Sequence, residues 1–317
     1  MENLVFCLNA TIPIFITLML GYLFRKIGLY DDSFVSQMNK FAFKVALPAM
    51  LFLNIAEADF YEVWDTKMVV FCFVATFCSI AISIGLSFLL KPRDIQGEFV
   101  QSSYRSSAAI LGMAIIQNLY GNVGMAPLMI IASVPLYNVM AVAVLSFLKP
   151  GSHGMSRQMV MRTLKGIAAN PIILGIVTGL VWSMLRLPLP TILLQYSKQS
   201  GKTATPLGLM AMGGALHFGK VFSRPKATIA CTFLKLVGFC AIFLPIAIHL
   251  GFTHDKLVSI LIMLGSATTV TCYIMAKNMG HEGSFSSSVI MLTTLLSSFY
   301  TYRMAVYLQK SGADLIT

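Results

Sequence analysis

KFAFKVALP, residues 40–48, returns 158 residues later as KQSGKTATP, residues 198–206, so that Lys40, Lys44 and Pro48 fall on Lys198, Lys202 and Pro206. At the same offset Pro13, Ile14 and Gly21 meet Pro171, Ile172 and Gly179, and at an offset of 159 Ser107, Ala108, Ile115 and Gly121 meet Ser266, Ala267, Ile274 and Gly280. A single match between apolar segments is a chance event. Agreement over several segments at nearly one offset reads as a duplicated chain.

The duplicated material belongs in lipid. Of 317 residues 57% are hydrophobic and 11% charged, and the mean hydropathy of +0.78 excludes an ordinary soluble domain. Apolar runs, each long enough to cross about 30 Å of hydrocarbon as a helix, fall near 4–24, 35–55, 68–90, 99–120, 125–148, 166–186, 191–216, 227–250, 257–279 and 285–309. The expectation is an all-α membrane protein of ten transmembrane helices. Five helices per copy is an odd number, so the second copy enters the bilayer upside down. This divides the chain into a first five-helix repeat (1–149), a basic cytoplasmic loop (150–165) and an inverted second repeat (166–317). The first run reads as a retained helix rather than a signal peptide, because its cations Arg25 and Lys26 follow it.

The net charge of +11 is explained by topology, with no need for a nucleic-acid partner. With the N-terminus outside, the inner loops hold Arg25, Lys26, Lys91, Arg93, Lys149, Arg157, Arg162, Lys165, Lys220, Arg224, Lys226 and Lys277, against Lys67, Arg186, Lys256 and Lys310 outside. Twelve against four predicts both termini outside, in a cell membrane. The cysteines (7, 72, 78, 231, 240 and 272) lack CxxC spacing and read as small buried hydrophobes, with no metal site. The histidines are scattered and no glycine-rich phosphate loop occurs, so no enzyme chemistry and no cofactor is expected.

The fourth and ninth spans are the least lipid-like. Arg105, Ser106, Ser107 and Gly112 stand in the first half of one, and Ser266, Thr268, Thr269 and Thr271 cluster in the other. If both helices unwind there, free backbone N–H groups, positive dipole ends and hydroxyls are offered to an anion. The bland alternative is a small-residue packing face with hydroxyls bonded to their own helix carbonyls. Lys44 and Lys202, near mid-membrane, are symmetry mates and further candidates for the site. The twelve carboxylates all fall in loops, at termini or at span edges, whereas Lys44, Arg105, Lys202, Lys235 and Arg303 lie within spans. That interior favours anions.

LPAMLF (47–52), ANPIILGIVTGL (169–180), ATPLGLMAMGG (204–214), YRSSAAILGMAIIQNLYG (104–121) and SATTVTCYIMAKNMG (266–280) resemble the auxin efflux carrier family in its bacterial permease branch. The resemblance covers essentially the whole chain. It implies a scaffold of helices 1, 2, 6 and 7, a transport domain of helices 3–5 and 8–10 with helices 4 and 9 broken and crossing, and a homodimer through the scaffold. It implies alternating-access, elevator-type transport of a small organic anion such as a carboxylate. The alternative is a membrane sensor or binding protein that kept the carrier fold, suggested by Ala114 and Ala267, which stand where the family has crossover prolines.

Overall fold

The computed structural model describes residues 2–57, 65–91, 93–108, 116, 125–150, 157–216 and 223–314. Every regular element among them is helical. The first half of the chain supplies α1 (Glu2–Lys26), α2 (Asp32–Phe41), α3 (Leu47–Ala56), α4 (Thr66–Ser87), α5 (Gln96–Tyr104) and α6 (Ala126–Phe147). After α7 (Arg157–Ala168) in the connection come α8 (Pro171–Met184), α9 (Thr191–Lys202), α10 (Ala204–Gly214), α11 (Pro225–Phe233), α12 (Phe239–His249), α13 (His254–Gly265), α14 (Thr271–Asn278) and α15 (Ser284–Asp314).

Three stretches are continuous, apolar and long enough to span a bilayer: Thr66–Ser87, Ala126–Phe147 and Pro225–His249, with shorter apolar helices at Pro171–Met184 and Ser284–Ser297. Several of the other expected spans are interrupted, and the interruptions have local causes. Pro48 lacks an N–H and its ring crowds the carbonyl four residues back, that of Lys44. The chain relaxes into a π-turn, Ala42–Ala46, in which the Leu47 N–H reaches the Ala42 carbonyl. Pro206 stands in the same relation to Lys202, and there the helix breaks at Thr203 between α9 and α10. Lys-x-x-x-Pro thus accompanies a loosened turn of helix at both places where it occurs.

Helix ends follow capping chemistry. The Asp31 side chain accepts from Phe34 N at 2.6 Å to start α2, and Asn170 accepts from Ile172 N at 2.9 Å, with Pro171 in the first turn of α8. Asp65 accepts from Met68 N at 3.0 Å to start α4 and pairs with Lys256 at 2.6 Å. The Lys256 ammonium, aided by that backbone N–H, holds the Asp65 carboxyl below the usual carboxylate range.

Most helix packing falls in two groups, which meet where α1 runs along α15 and where α14 touches α2 and α10 on one side and α5 and α15 on the other. In one, α1 runs along α10, α3 along α8 and α9, and α2 along α10. In the other, α4, α5 and α6 pack on one another, as do α11, α12, α13 and α15, with α13 touching α6 and α15 touching α5. The first group is held by close backbone approach. A β-carbon at Gly21 would overlap the Met210 carbonyl, and one at Gly179 would sit 2.9 Å from the Phe52 carbonyl. Gly21 and Gly179 are partners in the repeat, and so are Phe52 and Met210. The two close contacts are therefore reciprocal at the sequence offset of 158 residues.

Buried cysteines pack as hydrophobes, as their spacing predicts: Cys72, Cys231, Cys240 and Cys272 are free and enclosed. Glu98, placed at a span edge by sequence, is 1% exposed. Its carboxylate accepts from Gly283 N (2.9 Å), Ser286 N (2.8 Å) and the Ser286 hydroxyl (2.9 Å) and so caps the start of α15.

Candidate functional site

α5 stops at Tyr104 and α13 stops at Gly265, and beyond those points the two chains pass each other in extended form. Ser106 and Thr268 form an isolated antiparallel bridge, with Ser107 N donating to Ala267 O at 2.8 Å. A residue in the β-region has its N–H and C=O turned away from its own chain, so crossing chains supply each other's missing partners. Side chains tie the crossing to its surroundings. Thr268 N donates to the Thr293 hydroxyl (3.1 Å), the Thr268 hydroxyl to Ser102 O (2.9 Å), and Gln101 Nε2 to Cys272 O (2.9 Å).

A cavity of about 710 Å³ lies beside the crossing. Arg105, Ser107, Asn138 and Thr271 line it from one helix group, and Asn54 and Lys202 from the other. Arg105 is 2% exposed. Its guanidinium donates to Asn138 Oδ1 at 2.7 Å and to Met275 Sδ at 2.9 Å, and its buried Nε–H has no partner among the described residues. No carboxylate among the described residues pairs with it. Asn138 is itself aimed by its amide bonding Val134 O at 2.8 Å, one turn back along α6. Such a cation, desolvated and unneutralised, creates a strongly positive floor.

The residues singled out from sequence divide accordingly. Arg105, Ser106, Ser107, Thr269, Thr271 and Lys202 line one cavity. Thr269 and Thr271 bond each other through their hydroxyls at 3.2 Å at the start of α14, whose N-terminal end carries the positive pole of the helix dipole. Ser266 and Thr268 are buried in the crossing and support it instead, the Ser266 hydroxyl having no hydrogen-bond partner among the described residues. Lys44 is exposed in its π-turn and is not among the residues lining this cavity. Gly112, like Ala114, lies outside the described residues.

A second cavity, of about 400 Å³, is lined by Asp32, Asn39, Lys40, Lys277 and Glu282 among others. The larger cavity meets the last turns of α3 and the first of α14, and the smaller one meets α2 and the last turn of α14. The two therefore lie toward opposite ends of the same helices. Lys198 lines the first and its repeat partner Lys40 the second.

Three groups escaped the sequence reading as site residues. Asn138 orients Arg105, and Tyr137 donates to Met263 O at 3.1 Å beneath the crossing. Lys235 is fully buried against that same crossing. Asn138 and Tyr137 sit in a span with no polar cluster to flag them.

Comparison with known proteins adds two findings. A family model described as "Membrane transport protein" matches residues 6–304. A protein of Rhizobium meliloti (strain 1021) named "Putative malonate transporter" is 23% identical over 323 residues, covering 96% of each chain.

Proposed function

The chain belongs to the membrane transport protein family, that of the auxin efflux carriers, and from that premise we propose that it is a secondary carrier of a small organic anion working by alternating access. The observation that carries the anion reading is Arg105, a buried guanidinium on the wall of a cavity whose Nε–H has no partner, and which has no carboxylate beside it, among the described residues. A second cation, Lys202, lines the same space. Two cations suit two carboxylates. A dicarboxylate of malonate size is the first candidate, consistent with the name of the Rhizobium relative.

The elevator reading rests on the two helix groups. α1, α2, α3, α8, α9 and α10 would form the fixed scaffold, and α4–α6 with α11–α15 the moving body that carries Arg105 and the crossing. The cavities lie toward opposite ends of the seam between them, so sliding one group along the other would open each in turn. The reciprocal contacts Gly21–Met210 and Gly179–Phe52 are what a pseudo-two-fold axis between inverted copies requires. With both termini outside, the larger cavity lies in the outer half of the membrane, and Lys198 and Lys202 belong to the outward-open state. Lys40 and Lys44 are their counterparts for the inward-open one. Scaffold-to-scaffold pairing would make the working unit a homodimer.

The test is uptake by the purified protein in liposomes of malonate, a four-carbon dicarboxylate and acetate. Saturable uptake favouring a dicarboxylate is the expected result. Saturable binding without flux would replace the carrier by a sensor, and neither binding nor flux would refute the anion site.

A further inference from the structure

Lys235 has no place in the anion site just described. It stands in a π-turn, Leu234–Gly238, between α11 and α12, is 0% exposed, does not line the larger cavity, and pairs with no carboxylate among the described residues. Its Nζ donates to Leu264 O at 2.6 Å and to the Ser106 hydroxyl. Ser106 in turn donates to Met263 O, which also accepts from the Tyr137 hydroxyl at 3.1 Å.

The acceptors share an origin. Met263 and Leu264 belong to the last turn of α13, whose final carbonyls lack intrahelical partners, and Ser106 follows directly on the end of α5. The C-terminus of α13, equivalent to about half a negative charge, and the Ser106 hydroxyl just beyond the end of α5 thus converge on one ammonium. Broken helices in carriers commonly use such unwound carbonyls and C-terminal ends to coordinate a mobile cation. Here the oxygens are already taken. The π-turn adds one residue to the helix and aims the lysine at them.

We propose that Lys235 is a tethered cation, filling at the crossing the place that a bound Na⁺ would otherwise occupy, so that this protein moves its anion without Na⁺. The consequence for flux rests on the carrier reading; the occupancy of the oxygen cradle does not.

Lys235→Ala removes the ammonium and leaves the Leu264 and Met263 carbonyls and the Ser106 hydroxyl in place. Thermal unfolding of the purified full chain is compared in sodium chloride and in choline chloride at equal ionic strength. The variant is expected to unfold earlier in choline and to gain about 3 °C in Na⁺, as linkage to a newly opened site requires, while the wild type gains nothing. A folded variant indifferent to Na⁺, or a wild type that gains as much, overturns the proposal. Should the alanine variant not fold, Lys235→Ser keeps an oxygen in the cradle and takes its place. In liposomes wild-type uptake is expected to be the same in both salts, and Na⁺-dependent uptake would overturn the proposal independently. Absence of uptake in either salt would count against the carrier reading and leave the thermal comparison to decide on Lys235.

Discussion

Arg105→Gln removes the guanidinium from the cavity and leaves a side chain able to donate to Asn138 Oδ1, the partner that now sits 2.7 Å from the arginine. The size of the effect follows from burial. A unit charge pair about 4 Å apart at an effective dielectric of about 20 is worth about 4 kcal/mol. Truncating one partner of a buried, hydrogen-bonded charge pair costs about 2–5 kcal/mol. A working value of about 2.8 kcal/mol, at about 1.4 kcal/mol per tenfold, predicts anion binding about a hundredfold weaker. Arg105→Lys keeps the charge without the planar fork and is expected to lose about tenfold. Malonate binding by calorimetry and uptake by proteoliposomes measure both, with the melting temperature as the control for folding. A folded Arg105→Gln protein that binds and transports like the wild type would refute the assignment of Arg105 to the anion.

Other outcomes follow from particular contacts. Lys202→Met is expected to weaken anion capture from the outer side by about fivefold, an effect that fades at high salt because the ammonium is exposed. Lys44→Met should act on capture from the inner side, and sided uptake and efflux assays separate the two; equal effects on both sides would count against the inverted pairing. Gly213→Val drives a side chain into the Leu18 backbone, which cannot move aside. Overpacking against backbone costs about 3 kcal/mol, so a fall in melting temperature of about 5 °C or more is expected, and an unchanged melting curve would contradict the close α1–α10 packing. Asp65→Asn removes a carboxylate whose protonation is held low by Lys256. Its stabilisation is complete above the ordinary carboxylate range and is lost as pH falls through the lowered value, so wild type and variant should differ at neutral pH and converge once the pH is below it.

Helical class and breaks in the serine- and threonine-rich spans were legible because both depend on local composition. Ser106 and Thr268 stand where hydroxyls cluster, and a cluster is visible in one dimension. The division of labour among those residues was not legible. Thr271 lines the cavity while Ser266 is buried in the crossing, and nothing in their spacing distinguishes them. Lys44 and Lys202 are equivalent in sequence, yet only Lys202 lines the larger cavity, because that space lies toward one end of the helices. Lys235 was visible as a charge in an apolar run but had no partner within reach along the chain. Its acceptors come from residues 29 and 129 positions away, and such long-range convergence leaves no periodic trace.

Among the described residues, Arg105, Lys235 and Glu98 are buried acidic or basic side chains of the helix group that carries the crossing. In their ordinary ionised forms they would carry one net positive charge. Moved as one body, an empty site would carry that charge with it, and each elementary charge taken across the full field exchanges about 2.3 kcal/mol per 100 mV with the membrane potential. A bound monoanion cancels the charge and a dianion reverses it. The voltage dependence of the reorientation step, read as current from oriented membranes with and without anion, therefore reports the valence of the cargo before its identity is known.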